Sequence, residues 1–220
     1  AAADLVVLGI GVRPNTRLAR EAGLPLGSTG GVQVDRRQAV LGHDGIWAAG
    51  DCVESFHRVS QRPTVIALGT HANKQGRVLG TNLGGGYDTF PGVVGTAITK
   101  VHELEIARTG LGVDEARVAG FDVVSGSVES TTTAGYMPGA SPMTVKVIAE
   151  RGTARMLGAQ IVGAGPGSAK RIDACALAVW NEMHADDLAM TDLSYAPPFS
   201  PVWDPVQIAA RRAAERARTS

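Results

Sequence analysis

The sequence predicts a chain in two parts, an α/β remnant followed by an α+β domain built on an antiparallel sheet, and three observations carry that prediction. Apolar strand-like runs and helical spacing alternate up to about residue 83. The cluster GGGYDTFPG at 84–92 then breaks both periods. Beyond it, strand-like runs follow one another before two helical stretches close the chain. The domain reading is 1–83, a linker at 84–92, and 93–220.

DLVVLGIG opens the first part. A continuous apolar run closed by glycines is the pattern of a central parallel strand covered on both faces, here at 4–9. No strand or helix precedes it to cover those faces, so a truncated chain is expected. Further short strands are expected at 32–34 and 45–49, with a helix near 15–22. A longer helix is expected over 64–83, where Ile66, His71, Ala72 and Gln75 recur at helical spacing. In the second part, strands are expected at 95–99, 104–109, 120–127, 143–149 and 156–163, and helices at 168–184 and 203–217.

Composition limits the function classes. The chain has 220 residues, 44% hydrophobic and 19% charged, enough for real cores. Its 21 basic and 21 acidic side chains cancel, and the basic tail from Arg211 to Arg218 alternates with Ala like a solvated helix face, so nucleic acid is not an expected partner. No stretch approaches the ~20 apolar residues of a membrane span, and the start lacks a basic segment followed by a cleavable apolar one. The expected location is the cytoplasm. Cys52 and Cys175 lie far apart without a CxxC pair, which fits a reducing compartment and argues against a disulfide framework, a structural zinc site or a nucleophile. His43, His57, His71, His102 and His184 show no HExxH or i, i+4 spacing, so no metal is expected. Of the five, only His71 occupies a position that merits a test.

GIWAAGDC, residues 45–52, is the most pointed motif. Gly45 to Ala49 read as a buried strand, Gly50 as a sharp turn or close approach, and Asp51 as an acid at the strand's end. Such a carboxylate accepts hydrogen bonds from sugar-like hydroxyls, each worth ~1.5–3 kcal/mol when charge-assisted. By residue type alone, capping a turn is the favoured reading.

Three other segments draw attention. In GIGVRPN, Gly9, Gly11 and Pro14 suit either a dinucleotide loop or a rigid crossover between domains. GAGPGSAKRID at 163–173 places Ser168 where a GxGxxG motif needs its third glycine, so a turn with Ser168 capping a helix is expected instead. In LSYAPPFSPVW, Pro197, Pro198 and Pro201 hold the backbone extended and present Tyr195 on a stiff loop.

DLVVLGIGVRPN, GVQVD, GIWAAGDC and ANKQGRVLGTNL follow in the order of the last part of the nucleotide-binding region of FAD-dependent pyridine nucleotide-disulfide oxidoreductases. The remainder resembles the dimerisation domain of that family. AITKVHELEIARTGL, YMPGA, LGAQIVG, KRIDACALA and DLSYAPPFSPVWDP are most similar to the branch of coenzyme A-disulfide reductases and NADH oxidases. The resemblance covers nearly the whole chain, and its specificity lies in several spaced motifs agreeing.

The resemblance implies a Rossmann-like FAD/NAD(P)-binding remnant at 1–83 and a dimerisation domain at 93–220, working as a homodimer. It implies that Asp51 holds the ribityl chain of FAD with Gly50 allowing close approach, and that Leu68, Gly69 and Thr70 line the isoalloxazine. NADH or NADPH would pass electrons through FAD to a small-molecule disulfide, coenzyme A disulfide among them, or to oxygen. The redox cysteine and both nucleotide GxGxxG motifs would lie upstream in the missing N-terminal region, leaving no catalytic residue here and no turnover by these residues alone.

Tyr195 matches a tyrosine that crosses the dimer interface toward the partner's site. Tyr136, in TAGYMPG, matches the first tyrosine of an HxxYYPG-like segment, with Thr133 in place of the histidine and Met137 in place of the second tyrosine. Packing against the fold is the other reading of both tyrosines. Lys170 and Arg171 fall on a helix that the family places at the subunit interface, within reach of the partner or an anionic substrate. Trp180 and Trp203 are apolar anchors of the kind found at interface centres. A stand-alone dimerisation or binding module without redox activity is the alternative to the flavoprotein reading.

Overall fold

The computed structural model describes residues 3–219. The chain divides into two compact units, one formed by the residues up to Phe56 with Arg62–Gly92, the other by His57–Gln61 with the residues from Val93 onward.

The first unit is light in regular structure. α1 (Arg17–Glu21) and α2 (Gly69–Leu83) are its helices, and β1 (Ser55–His57) and β2 (Arg62–Thr64) form a two-stranded sheet. A small core of Val32, Val40 and Val53, each at most 3% exposed, gathers Leu24, Leu26, Val34 and Ala48 around it.

The strands expected at 4–9, 32–34 and 45–49 do not form as regular strands. A strand exists only through its ladder, and the segment Leu5–Val12 pairs with no described residue, leaving Leu5 79% and Ile10 87% exposed. The other two segments make single bridges, Val32 with Val53 and Leu26, Val34 with Val40, and Trp47 with Ala39.

The helix expected over 64–83 begins at Gly69 instead. Thr64, Val65 and Ile66 are β-branched, Arg62–Thr64 is taken up in β2, and Leu68 is extended at φ −132° and ψ 132°. Within α2, Gln75, Val78 and Asn82 are buried at the i, i+3, i+7 spacing of one face. Asn82 closes the helix by donating to the carbonyls of Arg37, Val78 and Asp88 and accepting from the Asp88 N–H.

The second unit is an antiparallel sheet backed by helices. β3 (Ala97–Val101), β4 (Leu104–Gly110), β5 (Val123–Thr131), β6 (Pro142–Glu150) and β7 (Met156–Ala164) lie in the order β3-β4-β7-β6-β5. All four pairings are antiparallel; three join strands consecutive in sequence, as expected, and the fourth brings β7 back beside β4. α3 (Val113–Ala119) follows β4, and α4 (Ile172–Trp180), α5 (Ala185–Met190) and α6 (Pro205–Arg218) follow β7.

Alternation decides which face is covered. Val124, Gly126 and Val128 of β5, and Met143, Val145 and Val147 of β6, are buried. α6 lies against β5 and β6 with Ala209, Ala210, Ala213, Ala214 and Ala217. A register shift at Ile148/Ala149 lets both of these residues stay buried.

Two helices escape the sequence reading. α3 has Glu115 in its first turn, accepting from the Gly112 N–H at 2.6 Å, and ends at the left-handed Gly120. α5 appears because the helix expected at 168–184 breaks, with Glu182 taking a left-handed turn at φ 54°.

Candidate functional site

The GIWAAGDC segment and α2 meet in the first unit. Gly50 adopts φ +86°, a conformation that favours glycine, and a Cβ there would stand 3.6 Å from that of Ala72. The Gly50 N–H donates to Gln75 Oε1 at 2.7 Å, while Gln75 Nε2 donates to Ser55 Oγ at 2.8 Å. The loop before Asp51 is thereby fastened to the first turns of α2.

Asp51 itself is exposed, and no hydrogen bond among the described residues uses its carboxylate. Leu68 precedes α2 in extended conformation without a side-chain cap. The N–H groups of Gly69 and Thr70 in the first turn likewise have no partner among the described residues, and both residues are exposed. A free carboxylate beside a helix N-terminus with open amides offers hydroxyl-accepting and carbonyl-donating groups together.

His71 sits in the same turn, half-buried, with Nδ1 3.3 Å from the Ile66 carbonyl. Burial lowers its pKa, the Ile66 contact opposes this, Lys74 reinforces it, and the Asp51 charge again opposes it. Elsewhere in the first unit, Gly9 and Gly11 face open space, and Gly11 is left-handed at φ +73°.

The second unit holds the remaining candidates. Tyr136 is 77% and Tyr195 47% exposed. Lys170 is exposed and ion-paired with Asp173. Arg171 is turned inward, its guanidinium paired with Asp204 at 2.9 Å and donating to the carbonyls of Thr132 and Phe199. Trp180 is partly buried beneath the Arg58 guanidinium, 4.3 Å from the ring centroid, whereas Trp203 is 47% exposed.

GAGPGSAKRID has a helix start already occupied by the protein's own acid. Ser168 does not cap it; its hydroxyl donates to Glu105, whose carboxylate also accepts from the Ala169 N–H, both at 3.1 Å. The Ala169 bond, with help from Ser168, holds the Glu105 carboxyl below its usual range. Among the described residues, no group of three His, Cys, Asp or Glu is placed to hold a metal ion. Among the described residues, no helix is long and apolar enough to cross a membrane.

Residues 96–205 match the pyridine nucleotide-disulphide oxidoreductase dimerisation domain, and residues 1–76 match the pyridine nucleotide-disulphide oxidoreductase domain. The chain belongs to this family. It is similar to an NAD(P)H sulfur oxidoreductase (CoA-dependent) of Pyrococcus abyssi, 39% identical over 95% of this chain and 46% of that protein. An NADH oxidase of Methanocaldococcus jannaschii is 35% identical over 97% of this chain and 47% of that protein. A coenzyme A disulfide reductase of Staphylococcus epidermidis is 30% identical over 90% and 44%. Among solved structures, the NAD-dependent persulfide reductase from A. fulgidus superposes with a TM-score of 0.89 at 42% identity, covering 95% of this chain and 38% of that one. The chain spans about half the length of the curated family members it matches.

Gln75, Ser55, Asp204 and Glu105 were missed as organisers of these segments. Gln75 had a legible signal, a polar residue at helical spacing with Ile66, His71 and Ala72. The others act on partners far away in sequence, and no local pattern announces that.

Proposed function

We propose that this chain is the FAD-contacting and dimerisation portion of a flavoprotein that moves electrons from NADH or NADPH to a sulfur acceptor, a disulfide or persulfide, with oxygen as the other acceptor found among its relatives' chemistries. The names of the relatives support the redox reading, since they include sulfur, persulfide and coenzyme A disulfide reduction and NADH oxidation. In this reading residues 1–83 are the Rossmann-like remnant, 84–92 the linker and 93–220 the part that pairs two copies.

The observation that carries the reading is the Gly50 to Gln75 hydrogen bond, which fastens the Asp51 loop to α2. The residues fit FAD by their chemistry. Asp51 has an unshared carboxylate for ribityl hydroxyls, Gly50 keeps its side clear, and the open N–H groups of Gly69 and Thr70, with Leu68 beside them, suit an acceptor carbonyl of the isoalloxazine. When bound, FAD supplies the two-electron carrier between nicotinamide and acceptor. Tyr136 and Tyr195 supply exposed hydroxyls toward the acceptor, and the partner copy completes the site.

Asp51→Ala in the FAD-loaded protein tests the reading. Loss of a charge-assisted bond worth ~1.5–3 kcal/mol weakens FAD roughly 10-fold to 100-fold, read by titrating the flavin absorption against free FAD. Unchanged affinity would remove Asp51 from the site. Light scattering at micromolar concentration checks the pairing of two copies, and a monomer would contradict it.

A further inference from the structure

Two loops of the second unit carry exposed aromatic side chains and are laced together through their backbones. One, residues 132–141, presents Tyr136; the other, residues 193–200, presents Tyr195 and Phe199, which is 75% exposed. The Ala134 N–H donates to the Pro197 carbonyl at 3.0 Å.

Arg171 stands at the join. Its Nη2 donates to the Thr132 carbonyl on one loop and the Phe199 carbonyl on the other, each at 2.7 Å. Its Nε donates to Asp204 Oδ2 at 2.9 Å and its Nη1 to the Gly167 carbonyl at 3.4 Å. Asp204 is anchored in turn, with Oδ2 also accepting from Ser200 Oγ at 3.1 Å and Oδ1 accepting from the Val206 N–H at 2.9 Å, where it caps α6. The Arg171 and Asp204 side chains are only 15% and 12% exposed.

Four of the five guanidinium N–H donors are engaged within the protein. A planar guanidinium can bridge carbonyls on separate segments because its donors lie in a fixed fork, which a lysine ammonium does not reproduce. Motion of either loop strains a bond to the same nitrogen, so the loops move together or not at all.

We propose that Arg171 is a positioning residue that locks loops 132–141 and 193–200 into one rigid rim, so that Tyr136 and Tyr195 are presented together to the acceptor. The identity of the acceptor rests on the function proposed above; the coupling of the loops rests on the hydrogen bonds alone.

Fluorine NMR of the full chain labelled with 3-fluorotyrosine tests the coupling, since the sequence has only three tyrosines and Tyr87 lies in the other unit as an internal reference. Arg171→Lys keeps a positive charge beside Asp204 and loses the bridge. The Tyr136 and Tyr195 signals should both shift while Tyr87 stays fixed, and Arg117→Lys on the exposed face of α3 should move none. Asp204→Asn, which keeps an oxygen for the Val206 N–H, should move the same two signals and decides the matter if Arg171→Lys does not fold. Movement of one signal, or of neither, overturns the proposal.

In the FAD-loaded flavoprotein that carries the N-terminal nucleotide-binding region as well, Arg171→Lys should raise KM for a small disulfide about tenfold while KM for the nicotinamide nucleotide changes less than about twofold, as misplacement of one subsite predicts. A disulfide KM that does not change while both signals move would overturn the role toward the acceptor. Absence of disulfide turnover in the unsubstituted flavoprotein that carries the N-terminal region would overturn the acceptor reading alone, because the fluorine signals report the coupling without turnover.

Discussion

Gln75 and Gly50 are joined by a hydrogen bond of 2.7 Å, and the same Gln75 amide donates to Ser55 Oγ at 2.8 Å. Gln75 is 1% exposed, so one buried side chain ties the Asp51 loop, β1 and α2 together.

Gln75→Leu leaves the Gly50 N–H and the Ser55 hydroxyl without this partner. Burying an unpaired donor costs about 1–3 kcal/mol. Hydrogen exchange at the Gly50 amide should accelerate, and the FAD affinity should fall with it. Gln75→Glu keeps the acceptor for Gly50 and should be milder. An exchange rate at Gly50 that stays unchanged in Gln75→Leu would show that the bond does not order the loop.

Gly126→Ala should damage the second unit more than its single methyl suggests. A Cβ at Gly126 would lie 2.3 Å from both the Ala209 carbonyl oxygen and the Ala213 nitrogen, backbone atoms of α6 that have no flexible end to move aside. Overpacking of this kind costs roughly 1–3 kcal/mol, or more where a backbone must shift. Gly80→Ala is the opposite case, an exposed helix interior with nothing within 4 Å of the new carbon, and should stabilise α2 by up to about 1 kcal/mol. Denaturant midpoints of the two variants should therefore move in opposite directions.

His57 makes the second unit sensitive to acid. It is 6% exposed, and the Ser60 N–H donates to its Nδ1 at 3.3 Å. Burial lowers its pKa from the ordinary 6.5, Glu115 opposes the shift and Arg108 adds to it. The unfolded chain then binds the proton first, so the stability is complete above pH 6.5 and is lost as pH falls from there through the lower folded value. Glu115, held below its ordinary 4.5 chiefly by the Arg108 hydrogen bond, adds a second loss in more acidic solution. Urea midpoints between about pH 7.5 and 5.5 should fall, and His57→Gln should flatten that part of the curve. An equally steep curve in the variant would place the sensitivity elsewhere.

The two cysteines should separate cleanly in a thiol titration. Cys175 is fully buried and its thiol is pushed up to about 12, mainly by burial. Cys52 is only partly buried and its thiol contacts the Ala49 carbonyl at 3.6 Å. A disulfide reagent at about pH 8, near the ordinary thiol range, should modify Cys52 in the native protein and Cys175 only after denaturation. Fast reaction of both would mean that α4 opens readily.

Several local patterns could be read directly. Val124, Gly126 and Val128 alternate with less buried neighbours as a half-buried strand requires, and the five strands of the second unit lie within a few residues of where that alternation predicts them. The turn at Gly50 and the helix α2 were also legible, because glycine before an acid and helical spacing are local signals. Leu5–Val12 misled for a physical reason: its apolar run encodes a demand for neighbours, and among the described residues none pairs with it. The break between α4 and α5 escaped because the left-handed turn falls on Glu182, a residue type that does not advertise it.

The sequence by itself determined which stretches become the strands of the second unit and its helices α4 and α6, and which family the chain resembles. Those properties follow from periodicity and from motifs a few residues long. Only the tertiary structure decided the order β3-β4-β7-β6-β5, the inward turn of Arg171 toward Asp204, 33 residues away, and the use of Gln75 to fasten a loop 25 residues distant. Each depends on closing a long stretch of chain and burying polar groups against one another, and that free energy belongs to the whole fold rather than to any short segment.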